Sequence, residues 1–410
     1  MKRYLILTLI TVSLFAQDYS FDIPGTEKKS LEWSGNLDGK YSVNQMRTES
    51  PFYQLQFPDN LSDYLSQYKM ELYLNADYRT RDMGFHLKTH SSYYNDSNAD
   101  FDLFEAYGNY NLSFNTNIRF GKQMFNWGKG YAFNPVGFVN PFKDPENPEL
   151  AQAGLLSMSF ETIKSFQNEL LKTVAFTGII IPPNETINER YSEVDNTAFA
   201  LKGYGLIWDT DVDIMALIDK NGLSKYGADF SLNLKENIEI HGETAFFIDD
   251  SVSHFTNGQL TKSTKDGNSW LFGMRYLNRW NTTIIAEYYH NDFGWSGDDW
   301  TDYLSVATMA VFNGMQPSSM PSMGMTAMQD YIYLKFTQPE PFDWVYFSPS
   351  IYAIYNLEDK SAIIGAPMSY SPVNNFSVTL WPTIMIGEDN SEFGSKQIQS
   401  KFDLWMRFYF

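Results

Sequence analysis

The chain has 410 residues, is 17% aromatic and carries a formal net charge of −19. It has no cysteine, which excludes disulfides and thiolate metal sites, and its acidic balance argues against a nucleic-acid partner. Beyond the N-terminus no apolar run is long enough to cross a bilayer as a helix, so any membrane crossing must use strands.

The first segment, MKRYLILTLITVSLFAQ, sets Lys2 and Arg3 before an apolar stretch from Tyr4 to Phe15 and a small residue at Ala16. That layout predicts an export signal peptide over 1–16, cleaved after Ala16; the apolar core is too short for an anchor. The remainder, 17–410, reads as one domain that opens with a periplasmic segment at 17–30.

From Leu31 onward the pattern has a period of two. In LEWSGNLDGKYSV, Leu31, Trp33, Leu37, Tyr41 and Val43 fall on one face, and Glu32, Ser34, Asn36, Asp38 and Lys40 on the other. Such alternation marks a strand with one face in apolar surroundings and one face wet. It recurs at 68–79, 83–94, 225–234 and 237–249, and more weakly at 101–112, 115–127, 154–163, 169–181, 196–208, 210–219, 269–278, 281–290, 329–338, 343–356, 361–371 and 375–387. The last strand, 401–410, has apolar Phe402, Leu404, Met406, Phe408 and Phe410 on one face and Lys401, Asp403 and Arg407 on the other.

The fold class predicted is all-β: a transmembrane antiparallel barrel of about 18 strands, with 16 as the alternative. Short links such as 80–82, 209–210, 235–237 and 278–280 alternate with long ones at 44–67, 128–153, 182–195, 249–268 and 291–328. With both termini in the periplasm, every long link lies outside the cell. Trp33, Trp208, Trp280 and Trp344 then stand beside periplasmic turns, where an aromatic girdle forms. The final strand closes the barrel against the first, and Phe410 reads as the signal recognised by the barrel-assembly machinery.

Several stretches carry a family resemblance. EAYGNYNLSFNTNIRFGKQMFNWGKGYAFNPVGFVNPFKDPENPE (105–149), AEYYHNDFG (286–294) and EFG (392–394) resemble the porin-like and alginate-export-like barrels of bacterial outer membranes. The resemblance implies an outer-membrane location in a Gram-negative bacterium and a transport role. It does not extend to a substrate: Lys122 stands where such proteins more often have Arg, and no alginate-type arginine ladder is seen.

Parity assigns the lumen lining. Arg79, Lys88, Glu105, Arg119, Lys202, Glu239, His241, Glu243, Arg275, Glu287 and Arg407 all face inward, a mixed and nearly balanced set suited to a hydrated pore. The excess acid lies in the outer loops, at Glu185, Glu189, Glu193 and Asp195 and at Asp292, Asp298, Asp299 and Asp302. Acidic loops either attract cations to the mouth or hold divalent ions that bridge to lipopolysaccharide. The Pro-rich loop 128–153 is too apolar to stay in water, so it is a candidate constriction that folds into the lumen, with Tyr131, Phe133, Phe138, Phe142 and Lys143 as its contact residues; an outer cap is the alternative.

Chemistry-bearing motifs are few. Met315, Met320, Met323, Met325 and Met328 form a soft-ligand cluster in the loop 291–328, although thioethers equally supply adaptable apolar surface. No phosphate loop, dinucleotide fingerprint or serine–histidine motif is present, so no enzyme activity and no cofactor are expected. The function predicted is a porin-like channel for passive movement of small solutes. A plugged barrel acting as a surface binding or adhesion protein is the second reading, and a lipid-modifying outer-membrane enzyme the third.

Overall fold

The computed structural model describes residues 31–59, 61–95, 99–183, 187–188, 197–219, 222–256, 259–315 and 326–410. The expected signal peptide 1–16, the segment 17–30 and the acidic residues Glu185, Glu189, Glu193 and Asp195 lie outside these.

The described residues form a closed antiparallel barrel of 18 strands. In chain order these are β1 (Leu31–Met46), β2 (Tyr64–Arg79), β3 (Met83–Tyr94), β4 (Ala99–Ser113), β5 (Thr116–Gln123), β6 (Leu155–Ser165), β7 (Leu171–Ile181), β8 (Ala198–Ile207) and β9 (Thr210–Asp219). They continue as β10 (Gly222–Lys235), β11 (Ile238–Thr256), β12 (Gln259–Leu277), β13 (Thr283–Asn291), β14 (Asp330–Thr337), β15 (Phe347–Asn356), β16 in two pieces (Ala362–Gly365 and Met368–Val373), β17 (Phe376–Ile386) and β18 (Ile398–Tyr409). Each strand pairs with its sequence neighbours, and β1 pairs with β18 from Asn36↔Tyr409 to Met46↔Ile398, which removes both sheet edges.

The alternation has a physical cause visible on the two faces. Leu37, Tyr41, Met70, Leu74, Phe120, Phe272, Phe402 and Met406 are exposed on the outside, while Asp38, Glu71, Asp213, Glu243 and Asp403 are buried inside. Only a surface bathed in lipid rather than water makes that inversion stable. Trp33, Trp208, Trp280 and Trp344 are exposed beside the short turns, as expected of a girdle.

One expectation is corrected. The link 249–268 is not a loop: after a bulge between Phe247 and Asp250, β11 and β12 stay paired from Asp250↔Lys265 to Thr256↔Gln259. This hairpin tip is polar at most positions, so the alternation that betrays strands elsewhere is missing while Val252, Thr256, Thr261 and Thr264 still favour extended backbone. The outer links also hold helices that no strand pattern announces, α1 (Pro51–Gln56) and α2 (Gly297–Phe312). A capping box starts α2: the Ser296 hydroxyl accepts from the Asp299 amide at 3.2 Å, and the Asp299 carboxylate accepts from the Ser296 amide at 3.2 Å.

Candidate functional site

Between β5 and β6 the chain turns inward, and the loop 124–154 crosses the lumen. Its bounds are a few residues wider than the expected 128–153 because β5 ends at Gln123. The turn is built on G-K-G. Gly128 has φ +98, where an L side chain is strained, and a Cβ there would lie 2.8 Å from the Glu243 carboxylate. A Cβ on Gly130 would lie 2.1 Å from the Phe133 carbonyl. With no side chains in the way, the backbone N–H groups of Lys129 and Gly130 reach Glu243 Oε1, each at 2.6 Å, and that of Val136 reaches Oε2 at 3.2 Å.

A second carboxylate on the wall works the same way. Glu287 accepts from the Tyr131 amide and, at 2.8 Å, from the Ala132 amide. It also pairs with His241 Nε2 at 3.0 Å, across the intervening strand β12. That reach is possible because β12 has Gly273 at the crossing point, where a Cβ would sit 2.1 Å from His241 Nε2. Glu243 and Glu287 therefore point inward, as parity requires, but they are covered: the loop amides, not the solvent of the lumen, occupy their oxygens.

Side-chain anchors fix the rest of the loop. Lys129 Nζ lies 3.0 Å from Asp213, which also binds Lys202 at 3.2 Å. Lys335 donates to the Tyr131 hydroxyl. The Tyr352 hydroxyl donates to Glu146 at 3.2 Å, and Lys401 lies 3.7 Å from the same carboxylate. Lys143 donates to the Gly130 and Tyr131 carbonyls, and burial holds its ammonium below the usual lysine range. Within the loop, Asn140 closes a ring with Trp127, accepting from its amide at 3.0 Å and donating to its carbonyl at 2.7 Å.

Apolar packing divides the loop's aromatic residues. Trp127, Val136, Phe138 and Val139 bury against Ile179, Ile181, Met215 and Leu217 of β7 and β9. Phe133 stacks on Tyr289 with ring centroids 4.4 Å apart and joins the cluster of Leu271, Ile285 and Tyr331. Of the expected contact residues, Phe133 and Phe138 thus face the wall, because burying them there removes more apolar surface from water than an aqueous eyelet could. Tyr131 and Lys143 border the open space, and Phe142 is exposed.

That open space is a chamber of about 1050 Å³ bounded by the loop and by strands from β1 to β3 and β11 to β18. Among the expected lining residues, Lys88, Glu239, His241, Arg275 and Arg407 border it. Arg407 is held by a bidentate contact to Asp38 at 2.8 and 2.7 Å, whereas Lys88 forms no ion pair among the described residues. Hydroxyl groups of Ser348, Ser350, Ser369, Ser371, Ser377 and Thr379 complete one side.

The remaining expected residues sit elsewhere on the inner wall. Glu105 accepts from the Met124 amide at 3.2 Å, at the root of the loop. Arg79 is exposed near the turn 80–82 and lies 3.4 Å from Asp77, and Arg119 stands over the Tyr107 ring. Lys335, inward by parity, and Tyr131 of the loop both border the chamber; alternation could not flag Lys129, because it lies on a loop.

A further buried carboxylate ties the outer links together. Glu392 accepts from the Ala327 amide at 2.7 Å, the Tyr331 hydroxyl at 2.7 Å and Asn356 Nδ2 at 2.8 Å. Phe52 of α1 packs on Trp300 and Tyr303 of α2. The outer acids are partly used by this architecture: Asp299 caps α2, and Asp292 pairs with His290 at 3.1 Å. Met328 is buried, its sulfur against Asn356 Nδ2 at 2.9 Å, so it serves packing. Met320, Met323 and Met325 lie outside the described residues. Among the described residues no group of three or more His, Asp or Glu could hold a metal ion.

No family model matches the chain and no curated protein matches it. Among solved structures, the Acinetobacter baumannii protein OccAB1 is similar over 93% of this chain and 96% of its own, with a TM-score of 0.55 and 12% identity. A Rhodopseudomonas blastica porin triple mutant covers 93% of this chain and 100% of its own at a TM-score of 0.46 and 11% identity. Salmonella typhi OmpF gives 0.45 and 9%, over 93% of this chain and 97% of its own. The first of these likenesses shows the barrel fold, in agreement with the strand pairing described above.

Proposed function

We propose that the protein is a channel of the outer membrane of a Gram-negative bacterium, through which small solutes pass passively, and that the loop 124–154 is its constriction. The observation that carries this reading is the polar chamber beneath the loop. A space of about 1050 Å³ lined by Lys88, Arg275, Glu239 and a row of hydroxyls is a hydrated route, not a packed core. Membrane lipid, lipopolysaccharide at the acidic outer links and the assembly machinery acting on the final strand are the partners this reading implies.

The plugged, solute-binding barrel is the second reading. It is favoured by the apolar clusters that join the loop to the outer half of the wall, around Phe138 and around Phe133, Trp295 and Trp300. One experiment separates them. Replacing residues 133–148 by a short Gly-Ser turn and measuring single-channel currents in a planar bilayer should raise conductance severalfold. A folded protein that conducts neither before nor after the deletion would leave the binding reading in place.

A further inference from the structure

Proline is rare inside paired strands because it donates no ladder bond, yet three successive strands here each carry proline: Pro349 in β15, Pro367 between the pieces of β16 with Pro372 near its end, and Pro382 in β17. Their partners are register-opposed and keep only half of the usual exchange. The Gln338 amide donates to the Pro349 carbonyl at 3.0 Å, the Ser350 amide to the Pro367 carbonyl at 2.8 Å, and the Ala366 amide to the Pro382 carbonyl at 2.9 Å. The return bond is chemically impossible in all three pairs. Strand β16 therefore loses one bond to each neighbour, at the adjacent residues 366 and 367.

Open space adjoins this weak point on both sides. Inside, Pro367, Trp381 and Tyr352 border the chamber. Outside, a groove of about 450 Å³ on the lipid-facing surface is lined by Val43, Ile364, Pro382, Ile384 and Phe402 among others. A single strand separates a polar chamber that carries Lys88, Arg275 and Lys335 from an apolar groove facing lipid.

We propose that the middle of β16 is a lateral door, through which a single-chain amphiphile with an anionic head passes between the chamber and the membrane. The groove takes the apolar chain and the chamber cations take the head group. This rests on the channel reading, which supplies the hydrated side of the route.

The absence of native cysteine allows a clean test. Ile351 and Ala366 are register neighbours between the Tyr352↔Gly365 and Pro349↔Met368 pairs, and Ile351 is exposed on the lipid face. The double variant Ile351→Cys/Ala366→Cys can staple β15 to β16 without touching the chamber. The probe is dodecyl sulfonate bearing a diazirine on its chain, loaded into liposomes holding the full chain, with adducts mapped by mass spectrometry. With the staple reduced, chamber residues Tyr352 and Trp381 should be labelled; oxidation should lower that labelling about tenfold and leave ion conductance unchanged, and reductant should restore it. As a second variant, Pro382→Thr restores one donor and should reduce chamber labelling several-fold. Chamber labelling that is absent, or that ignores both the staple and the restored donor while the channel conducts, would overturn the door. Loss of conductance in the unmodified protein would instead overturn the channel.

Discussion

Glu243 illustrates how one side chain can serve a site without touching what passes through it. Its two oxygens collect three backbone donors from a loop more than a hundred residues away in sequence. A buried carboxylate so satisfied is stable, and removing it strands the donors. Glu243→Gln replaces an acceptor pair by one acceptor and one donor, so it should destabilise the barrel by about 1–3 kcal/mol and raise open-channel current noise. Urea unfolding in detergent and bilayer recordings measure the two effects. Gly273→Ala should act on the neighbouring clamp: its methyl would displace His241 from Glu287, and about 1–3 kcal/mol is the expected loss, read from the same unfolding curves. Lys88 is the contrasting case, a chamber cation without an ion pair among the described residues. Lys88→Glu should leave folding intact and move the reversal potential under a salt gradient toward cation preference. An unchanged potential would mean that permeating ions do not pass this residue.

Strands answer to solvent on each face, so element-scale predictions follow parity. Leu404 of β18 faces lipid, and Leu404→Arg should cost about 2–4 kcal/mol if it lies near mid-bilayer. Ser377→Arg on β17, facing the chamber, should fold normally and lower conductance instead. Equal damage from both, in a heat-modifiability assay of folded protein, would contradict the assignment of faces. The same logic explains why the strand positions and their number were readable in the sequence: 101–112, 361–371 and the rest alternate because lipid and water alternate. It also explains the miss at 249–268. Where a hairpin rises clear of lipid, neither face need be apolar, and Ser251 to Lys265 keep their pairing without the pattern that would reveal it.

At the scale of the whole molecule, the barrel is a scaffold whose inner wall receives two inserted pieces. The loop 124–154 lies across the middle, and α1 with α2 closes part of the outer mouth, tied to the rim through Glu392 and through Trp300 Nε1 on the Asn390 carbonyl at 3.0 Å. Deleting α2 should therefore widen access for larger solutes without raising the small-ion conductance set by the loop, which liposome-swelling rates for sugars of graded size would show. The sequence by itself pointed to a membrane-spanning antiparallel barrel of about 18 strands, with lipid and water faces alternating along its strands. These are local consequences of a period-two pattern and of apolar residues that water would not tolerate. The tertiary structure alone decided which inward charges stay available to the chamber. Glu243, Glu287 and Asp213 look the same in sequence as Glu239, but only three-dimensional closure brings G-K-G and the two residues after it against them, and an electrostatic partner met across a barrel leaves no periodic trace in the chain.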